Sequence, residues 1–191
     1  MFQAVVHIRE ETNTIDINNT INDLIEEDVD KLLLICHSEL SHSQLEISIN
    51  NSEKIREIFL ISNLPNADDR DYTIHFKSIH LNNLPNLYQF VVDHNCNFEV
   101  DNFIIENIRN SLGFWSNSLF AKSCVLKNTS GNFNISAENI DIIDSTIMYL
   151  KIRSTTNLNT IRSDIKTIEI IEDYSEILER NKFYICRNYL F

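Results

Sequence analysis

Glycine, proline and alanine are scarce in this chain of 191 residues, which has two glycines, two prolines and four alanines. The two glycines, Gly113 and Gly131, are widely separated, so the chain cannot form a glycine-rich phosphate loop or a dinucleotide-binding fingerprint. The scarcity of alanine argues against a helical bundle. Isoleucine and asparagine are abundant instead, and isoleucine without alanine favours β-strands.

Long apolar segments and paired cysteines are also missing. The longest apolar run, Leu32 to Cys36, is far too short to cross a bilayer, and Met1 to Glu10 lacks the features of a signal peptide. The four cysteines are widely spaced and form no Cys-x-x-Cys pair; they are Cys36, Cys96, Cys124 and Cys186. We therefore expect buried thiols in a cytoplasmic protein, where thiols stay reduced.

Side chains that could perform chemistry are present, but their spacing matches no known kind of site. Cys36, His37 and His42 form one group of potential metal ligands, and His94 and Cys96 form a second, yet neither has the paired spacing of a structural zinc site. No G-x-S-x-G nucleophile motif occurs, and the grouped carboxylates fit solvated turns. We expect no metal, no cofactor and no catalytic residue.

Positive charge is in deficit and unevenly placed. The chain has 16 basic and 28 acidic residues, a net charge of −12. Met1–Tyr72 holds 15 acids and 5 bases, a net charge of −10, whereas Thr73–Phe191 holds 13 acids and 11 bases, a net charge of −2. Direct binding to nucleic acid or to an anionic membrane is disfavoured, because both require a basic patch. A basic protein is the natural complement, although acidity also serves solubility alone.

The first quarter of the chain has signals for one helix and two strands. Thr20 is predicted to cap a helix in which Ile21 and Leu24 share one face. Lys31–Cys36 contains the apolar run Leu32–Cys36, which is typical of a buried strand. Gln44–Asn50 alternates apolar and polar residues, which predicts a half-buried strand.

A short strand pattern recurs in the rest of the chain. The apolar pair Ile58 and Leu60 returns as Phe90 and Val92, with Ile74 and Phe76 halfway between. Later the pair returns at nearly equal intervals, as Phe133 with Ile135, Leu150 with Ile152, and Ile168 with Ile170. A unit of about 16–18 residues predicts a mainly β, parallel solenoid in which apolar pairs stack inward. The residues predicted to be buried are Ile58, Leu60, Ile74, Phe76, Phe90, Val92, Leu150, Ile152, Ile168 and Ile170.

The segment Leu84–Phe98 (LPNLYQFVVDHNCNF) resembles a leucine-rich repeat. The resemblance implies a parallel sheet on one face and protein binding as the function. Independently of it, Asn63 and Asn95 follow strand patterns, where such a side chain can bond the backbone groups that a tight corner leaves open. The units are shorter than usual for that family, so a β-helix-like solenoid is the alternative. Residues 98–126 interrupt the register of the repeat. This segment is either an irregular coil or an inserted helix, or it is evidence that the repeat does not exist.

We expect a single domain over residues 1–191. An α/β capping region occupies residues 1–54, solenoid repeats residues 55–172, and a C-terminal cap residues 173–191. The cap is predicted from a helical pattern over Asp173–Asn181 and from alternation over Phe183–Phe191.

The hypothesis that fits these features best is a non-catalytic, acidic inhibitor of the immunity-protein or antitoxin type that neutralises a basic toxin by direct binding. One alternative is an effector or phage module that recognises a host protein, and another is a carbohydrate-active solenoid enzyme. The predicted electrostatic rim consists of Glu26, Glu27, Asp28, Asp30, Asp68, Asp69 and Asp71. The predicted aromatic anchors are Tyr72, Tyr88 and Trp115.

Overall fold

The computed structural model describes residues 2–9, 11–37, 44–63, 73–92, 96–109, 112–154 and 157–170. These residues form one helix and thirteen strands. The elements are β1 (Gln3–Ile8), α1 (Thr14–Glu26), β2 (Lys31–Cys36), β3 (Glu46–Asn50), β4 (Glu57–Ser62), β5 (Thr73–Asn82), β6 (Gln89–Val92), β7 (Asn97–Glu106), β8 (Leu112–Lys127), β9 (Ser130–Ile143), β10 (Thr146–Ser154), β11 (Asn157–Ile161), β12 (Asp164–Ile165) and β13 (Ile168–Ile170). The predicted C-terminal cap lies outside the described residues.

The described strands form one curled, parallel sheet. Its order is β1-β2-β4-β6-β8-β7-β5-β3, so β8 joins two series of strands, and β9 continues both by pairing with β8, β10 and β11. A parallel sheet that curls around its own core confirms the prediction of a mainly β, parallel solenoid. Because strands line the core on several sides, the fold is the β-helix-like alternative.

The sheet bends so that it has three sides. β5, β7, β8 and β9 each turn two consecutive residues outward, as Lys77 and Ser78 do in β5, and this pair marks the bend. Side one comprises β1, β2, β4, β6 and the first residues of β8, β9 and β10. Side two comprises residues 73–76, 97–100, 119–121 and 136–137. Side three comprises β3, residues 78–82, 102–106, 123–127 and 139–143, and β11.

The coils become shorter along the chain. Phe133 pairs with Leu150, one predicted unit further on, whereas Ile58 pairs with Phe90, two predicted units further on. The predicted unit of about 16–18 residues therefore applies to the last coils, and the earlier coils are longer. Ile74, halfway between Ile58 and Phe90, lies on side two and pairs with Phe98 instead.

Residues 98–126 continue the solenoid. Phe98 pairs with Leu119 on side two, and Phe114 pairs with Phe90 on side one. The described residues of this segment therefore belong to two ordinary strands, β7 and β8, and the link between them, rather than to an inserted helix. The chain bends between the sides at Ser116, whose buried hydroxyl accepts a hydrogen bond from the Leu119 N–H at 2.8 Å.

Inward side chains from successive coils stack into one core. Phe90, Phe103 and Phe114 are fully buried, with ring centroids 5.3 Å apart for Phe90–Phe114 and 5.2 Å apart for Phe103–Phe114. All the residues predicted to be buried are so except the last two. Ile168 is half-buried and Ile170 is 42% exposed, because no described strand pairs with the outer edge of β13.

The helix begins earlier than predicted. Asn13, not Thr20, is its N-cap, and the Asn13 side chain accepts a hydrogen bond from the Asp16 N–H at 2.9 Å. Thr20 lies within the helix and donates its hydroxyl hydrogen to the Asp16 carbonyl at 2.8 Å. The earlier start buries Ile17 together with Ile21 on the face that packs against the core.

α1 also covers the first edge of side three. The Asn18 side chain donates to the Glu46 carbonyl and accepts from the Ser48 N–H, both at 2.9 Å. The Thr14 hydroxyl accepts a hydrogen bond from the Glu46 N–H at 3.1 Å. These three bonds satisfy the first part of the β3 edge that no described strand pairs.

A column of left-handed residues forms the corner after side three. Each of these residues has a φ between 47° and 58° and follows the last strand residue of its coil; they are Asn51, Asn83, Asn107, Asn128, Asp144 and Arg162. The amide of Asn83 donates to Asn51, and that of Asn128 to Asn107, at 2.8 and 2.7 Å. The residues predicted for this corner role, Asn63 and Asn95, are not among them. Asn63 instead contacts His37, at the end of side one, and Asn95 lies outside the described residues.

Candidate functional site

An apolar stripe runs across the outer surface of side one. It consists of Val5, Leu33, Phe59, Val91 and Trp115, which are register partners in five successive coils. Val5 is 40% exposed and Trp115 is 49% exposed, while the three between them are half-buried. Adjacent strands lie about 4.8 Å apart, so the stripe is roughly 19 Å long. Ile35 and Ile61, also half-buried, widen it on β2 and β4.

Outward residues elsewhere in the solenoid are more polar. On side three, one row of register partners consists of Glu46, Ser78, Asn102, Ser123 and Asn139. The next row mixes polar residues with Ile104 and Val125, which are half-buried. The outer surface of side one is therefore the continuously apolar one among the described residues, and it is the candidate docking surface.

Trp115 lies at one end of the apolar stripe, over a glycine. A Cβ atom added at Gly113 would lie 2.9 Å from the indole Nε1 of Trp115, so the missing side chain leaves the space that the ring occupies. The glycine stands where preceding coils have Lys31, Glu57 and Gln89. The indole thus lies against the sheet with half of its surface in solvent, as an anchor residue of an interface does before binding.

A polar border follows the apolar stripe. The Lys31 ammonium lies 3.4 Å from the Glu57 carboxylate and 4.3 Å from the centre of the Phe59 ring. The Tyr88 hydroxyl donates a hydrogen bond to the same carboxylate, and this bond raises the pKa of Tyr88. Tyr88 is 46% exposed, so the two described aromatic anchors that the sequence predicted are both accessible on side one.

Four of the predicted acidic residues lie where α1 leads into β2, at the start of side one. Glu26 and Glu27 are exposed, and Asp30 directly precedes the border residue Lys31. Lys54 lies 2.7 Å from Asp28 and lowers the pKa of that carboxyl group. This base therefore offsets one of the four negative charges. The rim residues Asp68, Asp69 and Asp71 and the anchor Tyr72 lie outside the described residues.

The buried thiols are not placed for nucleophilic chemistry. Cys36, Cys96 and Cys124 all lie in the core. Burial raises the pKa of Cys124 to about 12 and raises that of Cys36 further, so both stay protonated and unreactive at neutral pH.

In the described part of the chain, no three His, Cys, Asp or Glu side chains are grouped to hold a metal ion. No described helix has the length and apolar character needed to cross a bilayer.

Sequence analysis missed the apolar stripe, although the strands carry a signal for it. β2 (KLLLIC), β4 (EIFLIS) and β6 (QFVV) are apolar at consecutive positions rather than at alternate ones. Such a run is typical of a strand buried on both faces, which was the interpretation given to Lys31–Cys36. Here one face meets the core and the other meets solvent.

Comparisons with protein-family models, with curated proteins and with solved structures found no match to this chain.

Proposed function

We propose that the chain is a non-catalytic protein-binding solenoid whose docking surface is the outer face of side one. The observation that carries the proposal is the apolar stripe, which crosses five coils with Trp115 at its end. Apolar side chains on the outer face add little to folding while they remain half in water. A partner that covers them removes that area from water, and the exposed indole fits a pocket as an anchor.

The charge of the chain points to a basic protein as the partner. The net charge is −12, and Glu26 and Glu27 lie exposed at the start of side one. Negative charge beside an apolar contact area attracts a basic surface and raises the association rate. Many toxins that cut nucleic acid are basic, because their substrate is anionic. We therefore propose an immunity or antitoxin role in the cytoplasm, in which direct binding blocks such a toxin.

The first experiment asks whether side one is the docking surface. The double variant Phe59→Ser/Trp115→Ser removes the two aromatic residues of the apolar stripe. The control is Ile104→Ser, which makes the same kind of change at a half-buried outward position on side three. Partners captured from a lysate of the source cells are then compared between wild type, variant and control, with each fold verified by circular dichroism.

The expected result is a basic partner that wild type and control retain and the double variant loses. With the partner purified, Glu26→Lys/Glu27→Lys should slow association at low salt and have little effect at high salt. Equal retention by the double variant would overturn the docking surface. For the immunity role, co-expression with wild type should suppress toxicity of the partner, and a partner that is not toxic would refute it.

A further inference from the structure

Three polar side chains from the first three coils stack at the end of side one. His7 lies in β1, His37 directly follows β2, and Asn63 directly follows β4. The His37 N–H donates to the Ile8 carbonyl and the Asn63 N–H to the Cys36 carbonyl, both at 2.8 Å. The backbone ladder of the solenoid therefore fixes the positions of His37 and Asn63 relative to β1.

The two imidazole rings point nitrogen atoms at one another. His7 Nδ1 and His37 Nε2 lie 2.6 Å apart, and the ring centroids lie 4.8 Å apart. Two imidazole lone pairs repel at this distance, so without a metal ion a hydrogen on one nitrogen is donated to the other as an N–H···N hydrogen bond. Ligands of one tetrahedral zinc ion, each with a Zn–N bond of about 2.0–2.1 Å, lie roughly 3.3 Å apart. A metal ion therefore requires the two nitrogens to move apart by roughly 0.7 Å, and the exposed side chain of His7 is the one free to rotate.

Asn63 holds the other side of the His37 ring. The nitrogen of its side-chain amide lies 3.3 Å from His37 Nδ1, and a half-turn of the amide puts the oxygen in the same position. With the amide oxygen turned toward the ring, Asn63 accepts the Nδ1 hydrogen, which places the lone pair of His37 on Nε2, the atom that faces His7. Metal-binding histidines are commonly oriented in this way by a partner on the second nitrogen. Arg9 acts against the site, since its positive charge reaches His37.

We propose that His7 and His37 together bind one divalent transition-metal ion, such as Zn²⁺ or Ni²⁺, with water in the remaining positions. The proposal goes beyond the docking function and does not depend on it. Two imidazole ligands give roughly half the binding free energy of a four-ligand structural site, which corresponds to a dissociation constant on the order of 10 µM. The ion would join the first coil to the second in the folded protein only.

The test is calorimetric titration of the tag-free, full chain with ZnCl₂ and, separately, NiCl₂ at pH 7.5. We expect one ion per chain, and binding at least tenfold weaker in His7→Gln and in His37→Gln. The control His75→Gln removes a histidine that lies on side two, 3.2 Å from Asp101, and should bind like wild type. Circular dichroism verifies that all variants fold.

A second measurement separates this site from metal bound elsewhere on the chain. Saturating Zn²⁺ should raise the melting temperature of wild type and of His75→Gln, because the ion binds only the folded pair, and should leave both pair variants unchanged. Two results would overturn the proposal: no binding to wild type at 1 mM metal, which leaves a proton-sharing pair, or undiminished binding to His7→Gln.

Discussion

The two glycines of the chain give a sharp test of the structure, because the same substitution should have opposite outcomes at them. Gly131 pairs with Leu112 of β8 and with Ile147 of β10, and its φ is +156°, where a side chain is strained. A Cβ atom there would lie 2.1 Å from the Leu112 carbonyl oxygen and 2.7 Å from its nitrogen. At Gly113 the added atom would meet the Trp115 indole, which can rotate away.

The expected cost of Gly131→Ala is the sum of two effects. Backbone strain at this φ is worth roughly 1–3 kcal/mol, and forcing two main-chain segments apart is worth about 1–3 kcal/mol more. We therefore expect a loss of about 2–6 kcal/mol. Gly113→Ala lowers the conformational entropy of the unfolded chain. This stabilises the folded state by about 0.4–1 kcal/mol and offsets strain of that size. Its stability should thus change by less than about 1 kcal/mol.

Urea unfolding followed by far-ultraviolet circular dichroism measures both free energies of unfolding. The tryptophan fluorescence of folded Gly113→Ala should also shift, because the indole must leave its position over residue 113. If Gly131→Ala unfolds within 1 kcal/mol of wild type, or if both substitutions cost the same, the described pairing of β8 with β9 at Gly131 is wrong.

Three further outcomes are expected from core, corner and surface variants. Phe90→Ala should cost about 3–5 kcal/mol by urea unfolding, since it removes a ring stacked on Phe114, whereas the outward variant Val91→Ala should cost less than about 1.5 kcal/mol. Asn107→Ala should lower the free energy of unfolding by about 1–3 kcal/mol, because it strains a residue with φ of 58° and removes two amide hydrogen bonds. Asn107→Gly removes the same hydrogen bonds without the strain and should therefore cost less. Equal costs for the two variants would contradict the left-handed conformation of residue 107. Asp101→Asn should cost at most about 1 kcal/mol at pH 7 and progressively less as the pH falls below 4. The Lys122 ammonium holds the pKa of Asp101 below its ordinary value of 3.8, so the stabilisation is complete above that value and is lost as the pH falls through the lowered pKa. A cost that does not change with pH would contradict the ion pair.

The sequence predicts which side chains point into the core of the solenoid, because the alternation of apolar and polar residues along a strand is a local pattern. Ile58 with Leu60, and Leu150 with Ile152, show which face of each strand meets the core, and all four are buried. The coil length was less accessible. One predicted unit separates Ile58 from Ile74, but those two residues lie on different sides of one coil. Which strands are neighbours depends on three-dimensional pairing, and the spacing alone does not distinguish a half coil from a full one.

The helix start shows the same limit at a smaller scale. Asn13 and Thr20 are both good N-cap residues, and each has Asp three positions later. The choice between them is made by tertiary contacts: an early start buries Ile17 and brings Asn18 to the open edge of β3. Local propensity proposed two starts of similar quality, and packing selected one of them.

The sequence pattern did not reveal the apolar stripe either, because consecutive apolar residues are also typical of a strand that is buried on both faces. The position of the stripe supports a docking role. Side three shows what folding requires at outward positions, since Ser78, Asn102 and Ser123 occupy one continuous row there. The same architecture has Leu33, Phe59 and Val91 at outward positions of side one. Both rows lie on parallel strands of one sheet, so the ladder of backbone hydrogen bonds cannot account for the difference. The difference supports the proposed docking role, because a row of apolar side chains that ends in an exposed indole is suited to contact with another protein.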